Sequence, residues 1–111
     1  MKKKLVVAAL LALAGCGGPP VDKTGRVSAI TPLTADVAAG GTVYSNTCSS
    51  CHGPDGKGKS ARAIVSDVGS LSNEELATIA LNGTGFMGPA GGSLSDQQVA
   101  DLVGWMKVSL K

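Results

Sequence analysis

Cys48-Ser49-Ser50-Cys51-His52-Gly53 is the stretch that decides the fold of this chain. Two thiols stand two residues apart, and an imidazole follows the second directly. A cysteine pair at this spacing serves either as a disulfide or thioredoxin-like redox pair, or as the attachment point of a c-type haem. Only the second use needs a histidine next to the second cysteine. The residues on either side decide between them.

Upstream, Met1-Lys2-Lys3-Lys4 is a positively charged start, and Leu5 to Ala14 is an unbroken apolar run. As a helix that run spans about 15 Å, half of a bilayer core. Residues 1–15 therefore read as an export signal peptide rather than a transmembrane helix. The run ends in Leu13-Ala14-Gly15-Cys16, which resembles the lipobox of bacterial lipoproteins, where the cysteine is lipidated and becomes the first mature residue. The alternative is an ordinary signal peptide that happens to contain a cysteine. With the lipid on Cys16, an anchor to a bacterial membrane on its periplasmic or cell-surface side is expected. Cys48 and Cys51 are then the remaining cysteines of an exported domain, where thiols do not stay reduced unguarded.

The chain has 10 basic and 8 acidic side chains. Lys2, Lys3 and Lys4 leave with the signal, so the mature protein has seven basic against eight acidic groups. Nothing in this balance argues for nucleic-acid binding. Residues 16–33, with Gly17-Gly18-Pro19-Pro20 and a polar stretch to Thr31-Pro32, read as the lipidated cysteine and a flexible tether. Its average reach would be about 20–25 Å, and about 55–60 Å at full extension. Residues 34–111 form the one folded domain.

Within that domain the pattern is helical and no strand pattern appears. A first helix runs from near Thr34 or Asp36 to about Cys48, with either residue suited to its start. Gly40-Gly41 would weaken an ordinary helix by about 1 kcal/mol each, so another backbone or ring is expected to approach there. Ser72 with Glu75, and Ser95 with Gln98, are capping boxes that open two further helices. Leu76, Ile79 and Ala80 form the stripe of one. Val99, Leu102, Val103, Met106 and Leu110 form the stripe of the other. Between them, Gly83 to Gly92 holds five glycines and a proline and must be a loop.

Three short helices with one Tyr, one Phe and one Trp make a poor core. Domains this small often depend on a disulfide, a metal or a cofactor. A large flat apolar group at the centre would supply what the side chains lack.

Covalent haem meets both demands. Its two vinyl groups take the thiols of Cys48 and Cys51 as thioethers, and His52 is delivered to the iron. The sixth ligand comes from Met87 or Met106. Met106 lies on the apolar stripe of the last helix and is expected in the core. Met87 stands in Gly83-Thr84-Gly85-Phe86-Met87-Gly88-Pro89, where flexible glycine beside rigid proline can present a side chain at close range. His52 and Met87 are thus the expected metal ligands. With both axial positions filled, electron transfer is favoured over ligand chemistry.

Together these features resemble the class I (monohaem, His/Met-ligated) c-type cytochromes over about residues 36–111. Gly40 and Tyr44 match the glycine and aromatic of the family's first helix, and Cys48 to Gly53 its haem-binding run. Asp55-Gly56-Lys57-Gly58 is similar to the loop that follows, and Met87-Gly88-Pro89 to the distal ligand segment. Trp105 stands where the family keeps an aromatic packed across that glycine. The resemblance implies an all-α cytochrome c fold, with three main helices and Gly-rich loops around one haem c. It implies a monomeric one-electron carrier, not an enzyme, that serves redox partner proteins. The family often has a proline after the haem loop, and Ala61-Arg62-Ala63-Ile64-Val65 has none. A backbone carbonyl near Ala61–Ile64 is the expected acceptor for the His52 Nδ1 proton.

A ligand sensor or peroxidase-like enzyme would need Met87 to be labile, and a thiol oxidoreductase would need no haem. Gly53-x-x-x-x-Gly58-Lys59-Ser60 fits a nucleotide-binding P-loop by letter, but a P-loop needs a strand before it and a helix after it. A solvated turn is expected instead. Lys57, Lys59 and Arg62 form a basic cluster on that turn, either plainly solvated or steering an acidic partner.

Overall fold

The computed structural model describes residues 21–84 and 87–111. The readings of residues 1–15 and of Cys16 lie outside these. Among the described residues six helices follow one another: α1 (Val27–Ile30), α2 (Val37–Thr47), α3 (Ser49–His52), α4 (Val65–Ser70), α5 (Asn73–Asn82) and α6 (Asp96–Ser109). No strand occurs among the described residues. The three long helices, α2, α5 and α6, are those expected from the sequence.

The starts of these helices are set by side chains. Asp36 caps α2 by accepting from the Ala39 amide at 3.1 Å, so of the two candidate start residues the carboxylate takes the role. Ser72 with Glu75 and Ser95 with Gln98 close both halves of their capping boxes. Each box satisfies two amides that a helix start leaves open.

The core lies where α6 crosses α2 and α5. Tyr44, Leu102 and Val99 are its largest fully buried side chains, and Met106 is buried there too. The crossing of α2 and α6 is close because Gly40 has no side chain. A Cβ at Gly40 would overlap the Asp101 carbonyl and lie 2.7 Å from the Trp105 Cβ. One at Gly41 would lie 2.9 Å from the Trp105 indole nitrogen. The expected close approach at this glycine pair is therefore made by the backbone and the ring of α6. Tyr44 and Trp105 stack at a centroid distance of 4.6 Å across the same junction. The buried Asp101 carboxylate ties α6 to the start of α2, accepting from the Asp36 amide at 2.8 Å and from Gln97 Nε2 at 2.7 Å.

Two features were not expected. The short α4 has no start signal in the sequence; its Val68 is buried, and Lys107 Nζ donates to the Val68 and Leu71 carbonyls at its end. A cation there complements the negative end of the helix dipole. The other concerns the tether, expected to run loose through residue 33. From Asp22 onward the chain is docked. Val27 and Ile30 are buried in the core, and Arg26 pairs with Asp96 at 2.8 Å. The reason is local: two buried apolar residues three apart make one turn of helix, too short to show a period.

Candidate haem site

α2 ends at Thr47, and Cys48 serves at once as its last cap and as the start of the single turn α3. The Cys48 amide donates to the Tyr44 carbonyl at 2.8 Å, and the His52 amide to the Cys48 carbonyl at 3.0 Å. Helical spacing places Cys48 and Cys51, three apart, on one side of the turn. Cys48 is half-buried, Cys51 is exposed, and the two are not joined to each other.

The chain then reverses. Gly53 adopts φ +84°, a left-handed conformation that glycine takes without strain. Its carbonyl accepts from the Tyr44 hydroxyl at 2.7 Å. Burial pushes the Tyr44 phenol up to about 12, with lesser contributions from Cys48 and Asp55, so it remains a donor at any ordinary pH. The returning loop is pinned to the motif by its backbone. Gly58 donates to the His52 carbonyl at 2.7 Å, and Ala61 to the Cys51 carbonyl at 2.8 Å.

This path brings the Arg62 carbonyl to 2.8 Å from His52 Nδ1. A carbonyl can only accept, so Nδ1 carries the proton and the Nε2 lone pair is left for a metal. No partner for Nε2 occurs among the described residues. The acceptor expected near Ala61–Ile64 is therefore in place, supplied by an ordinary residue where the family often has proline. A half-buried imidazole with a fixed tautomer beside two unjoined thiols fits a covalently held haem iron.

Met87 comes from the separate loop between α5 and α6. Gly83 turns the chain there with φ +74°. The Thr84 amide then donates to the Met87 carbonyl at 2.8 Å, and the Met87 amide to Thr84 Oγ1 at 3.1 Å. Gly91 donates to the Ala80 carbonyl at 2.7 Å, so the far limb of the loop lies against α5. The Met87 side chain is half-buried.

At Cys48 the environment works against thiol exchange. Burial, and to a lesser extent the neighbouring Cys51, pushes the Cys48 thiol up to about 11. Exchange needs a thiolate at working pH. The P-loop resemblance fails as well, since Gly53 follows the helical turn α3 and not a strand. Of the basic cluster, Arg62 is paired with Asp67 at 2.7 Å, while Lys57 and Lys59 are exposed.

A family model described as "Cytochrome C oxidase, cbb3-type, subunit III" matches residues 35–106. The chain belongs to this family. No curated protein matches it. As a c-type cytochrome domain it carries covalently bound haem c and an electron-carrier role. The match covers the whole of α2 to α5 and most of α6, with the thiols, His52 and Met87 of this cytochrome inside it.

Proposed function

We propose that this cytochrome is a monohaem one-electron carrier with His52 and Met87 as axial ligands, held at a membrane surface by a lipid on Cys16, exchanging electrons with redox proteins. The observation that carries the proposal is the bond from His52 Nδ1 to the Arg62 carbonyl, which leaves Nε2 directed to a metal role. Bound haem supplies the one-electron Fe(II)/Fe(III) couple. The chain supplies the rest. Cys48 and Cys51 fix the ring to α3, the Arg62 carbonyl holds the imidazole, and the Thr84 turn holds the backbone of Met87. Two filled axial positions leave no site for a substrate at the iron, which favours a carrier over an enzyme. The matched family is described as an oxidase subunit, and electrons can pass through such a domain to chemistry done elsewhere.

The ligand assignment is tested at Met87. Met87→Ala should abolish the far-red absorption band of the oxidised protein that marks methionine–iron ligation. The potential should fall by on the order of 0.1–0.3 V, within the roughly 0.8 V that axial ligands span. An unchanged band would remove Met87 from the iron.

No helix among the described residues is long and apolar enough to cross a membrane. The anchor would then be Cys16 alone. Docking from Asp22 leaves five residues between it and the domain, an extended reach of about 20 Å. The domain is therefore held closer to the lipid than a free tether through residue 33 would allow. Cys16→Ser should move the protein from the membrane to the soluble fraction; retention in the membrane would count against lipidation.

A further inference from the structure

The segment that follows the anchor grips both ends of the loop that carries Met87. At the near end stands Asn82, the last residue of α5. Its side-chain amide donates to the Asp22 carboxylate at 3.0 Å, and its oxygen accepts from the Lys23 amide at 2.8 Å. The far end is held by Arg26. Its guanidinium donates to Asp96, the first residue of α6, at 2.8 Å and to the Leu94 carbonyl at 2.6 Å. It also reaches the Gly92 carbonyl more weakly, at 3.5 Å. A planar guanidinium that spans a carboxylate and a carbonyl fixes geometry as well as charge.

This segment is itself rigid. The Asp22 carboxylate accepts from the Thr24 amide at 2.9 Å and from the Val27 amide at 3.2 Å. Val27 and Ile30 seat it in the core. The sequence of the loop it grips is glycine-rich, so fixing one conformation of it costs more backbone entropy than for other residues. A thioether that must stay on a metal needs its loop held from outside.

We propose that Asp22 to Ile30 is a clamp, with Arg26 as a positioning residue, that holds the Met87 loop closed and so resists displacement of Met87 from the iron. This rests on Met87 being the axial ligand. It also assigns the anchor-proximal segment a task beyond tethering, because strain on the lipid end would be felt first at the two ends of the ligand loop.

Imidazole titrated into the oxidised, full-length, haem-loaded protein tests the clamp, since it binds only when Met87 leaves. Met87→Ala should bind imidazole much more tightly than the parent. Equal binding by the two would overturn the ligand assignment, and the clamp with it. If the assignment stands, Arg26→Ala should tighten apparent imidazole binding by about tenfold, the worth of one charge-assisted hydrogen bond. Asp96→Asn, a milder change, should act in the same direction, and Arg26→Lys should restore part of the resistance. In a Met87→Ala background, Arg26→Ala should have no further effect. Val68→Ala, a core truncation in α4 outside the clamp, should change imidazole binding less than Arg26→Ala at equal loss of global stability. Unchanged binding in both Arg26→Ala and Asp96→Asn would overturn the proposal. So would a Val68→Ala effect as large as that of Arg26→Ala, because general destabilisation would then account for both.

Discussion

Replacing Cys48 and Cys51 together by alanine is expected to leave a chain that does not fold, and not merely a colourless one. Among the described residues the largest fully buried side chains are Tyr44, Leu102 and Val99, and the chain has one residue each of Tyr, Phe and Trp. Ile64, Val65 and Leu71 pack against the core while still partly exposed, as does Cys48 itself. Ile64, Val65 and Leu71 flank or lie in α4, the helix that follows the haem loop. An apolar ring bonded to Cys48 and Cys51 adds burial that side chains alone do not provide. A small domain is stable by about 5–15 kcal/mol at most, and losing its largest apolar component is expected to remove all of it. The double variant should give no cooperative transition in a denaturant titration followed by far-ultraviolet circular dichroism. A cooperative transition within about 1 kcal/mol of the parent would reduce the haem to a redox centre without a structural role.

Most of this arrangement can be read from the sequence where a signal is local. The two capping boxes lie within four residues each, and the haem run within five. The two boxes appear in the structure as the letters imply. The closeness of α2 and α6 was also legible, because a glycine pair inside a helix is costly unless something occupies the space. Other features depend on partners far along the chain. Arg26 meets Asp96 seventy residues later, and nothing near Arg26 announces it. Val27 and Ile30 are too few to show a helical period, so the docked segment reads as a loose tether. The acceptor for His52 is a backbone carbonyl, which any residue carries. Its approximate position came from the family resemblance, which marks the segment after the haem loop, but its identity as Arg62 depended on how Gly53 and Gly58 turn the chain. The short α4 is stabilised at its end by Lys107, thirty-six residues beyond Leu71, and its own sequence carries no cap.

The second large effect is expected at Gly40, where one added methyl group should cost about 3 kcal/mol or more. Overpacking typically costs about 1–3 kcal/mol when side chains can adjust. Here the obstacle is the Asp101 main-chain carbonyl, with the Trp105 Cβ close behind. Neither is the free end of a flexible side chain. Asp101 cannot yield easily, because its buried carboxylate already holds the Asp36 amide and Gln97. The remaining response is for α2 to move away from α6. That would disturb the stacking of Tyr44 on Trp105 and, through Tyr44, the bond to the Gly53 carbonyl that sets the turn after His52. Gly40→Ala should therefore lower the denaturation midpoint strongly and also perturb the haem spectrum, although Gly40 is eight residues from Cys48. Gly69→Ala is the matched control. Gly69 lies inside α4 with no atom within 4 Å of an added Cβ and no left-handed φ. Alanine there should stabilise by about 0.4–1 kcal/mol through the unfolded chain and leave the spectrum unchanged. If Gly40→Ala cost less than about 1 kcal/mol, the close crossing of α2 and α6 would not be what positions the haem turn.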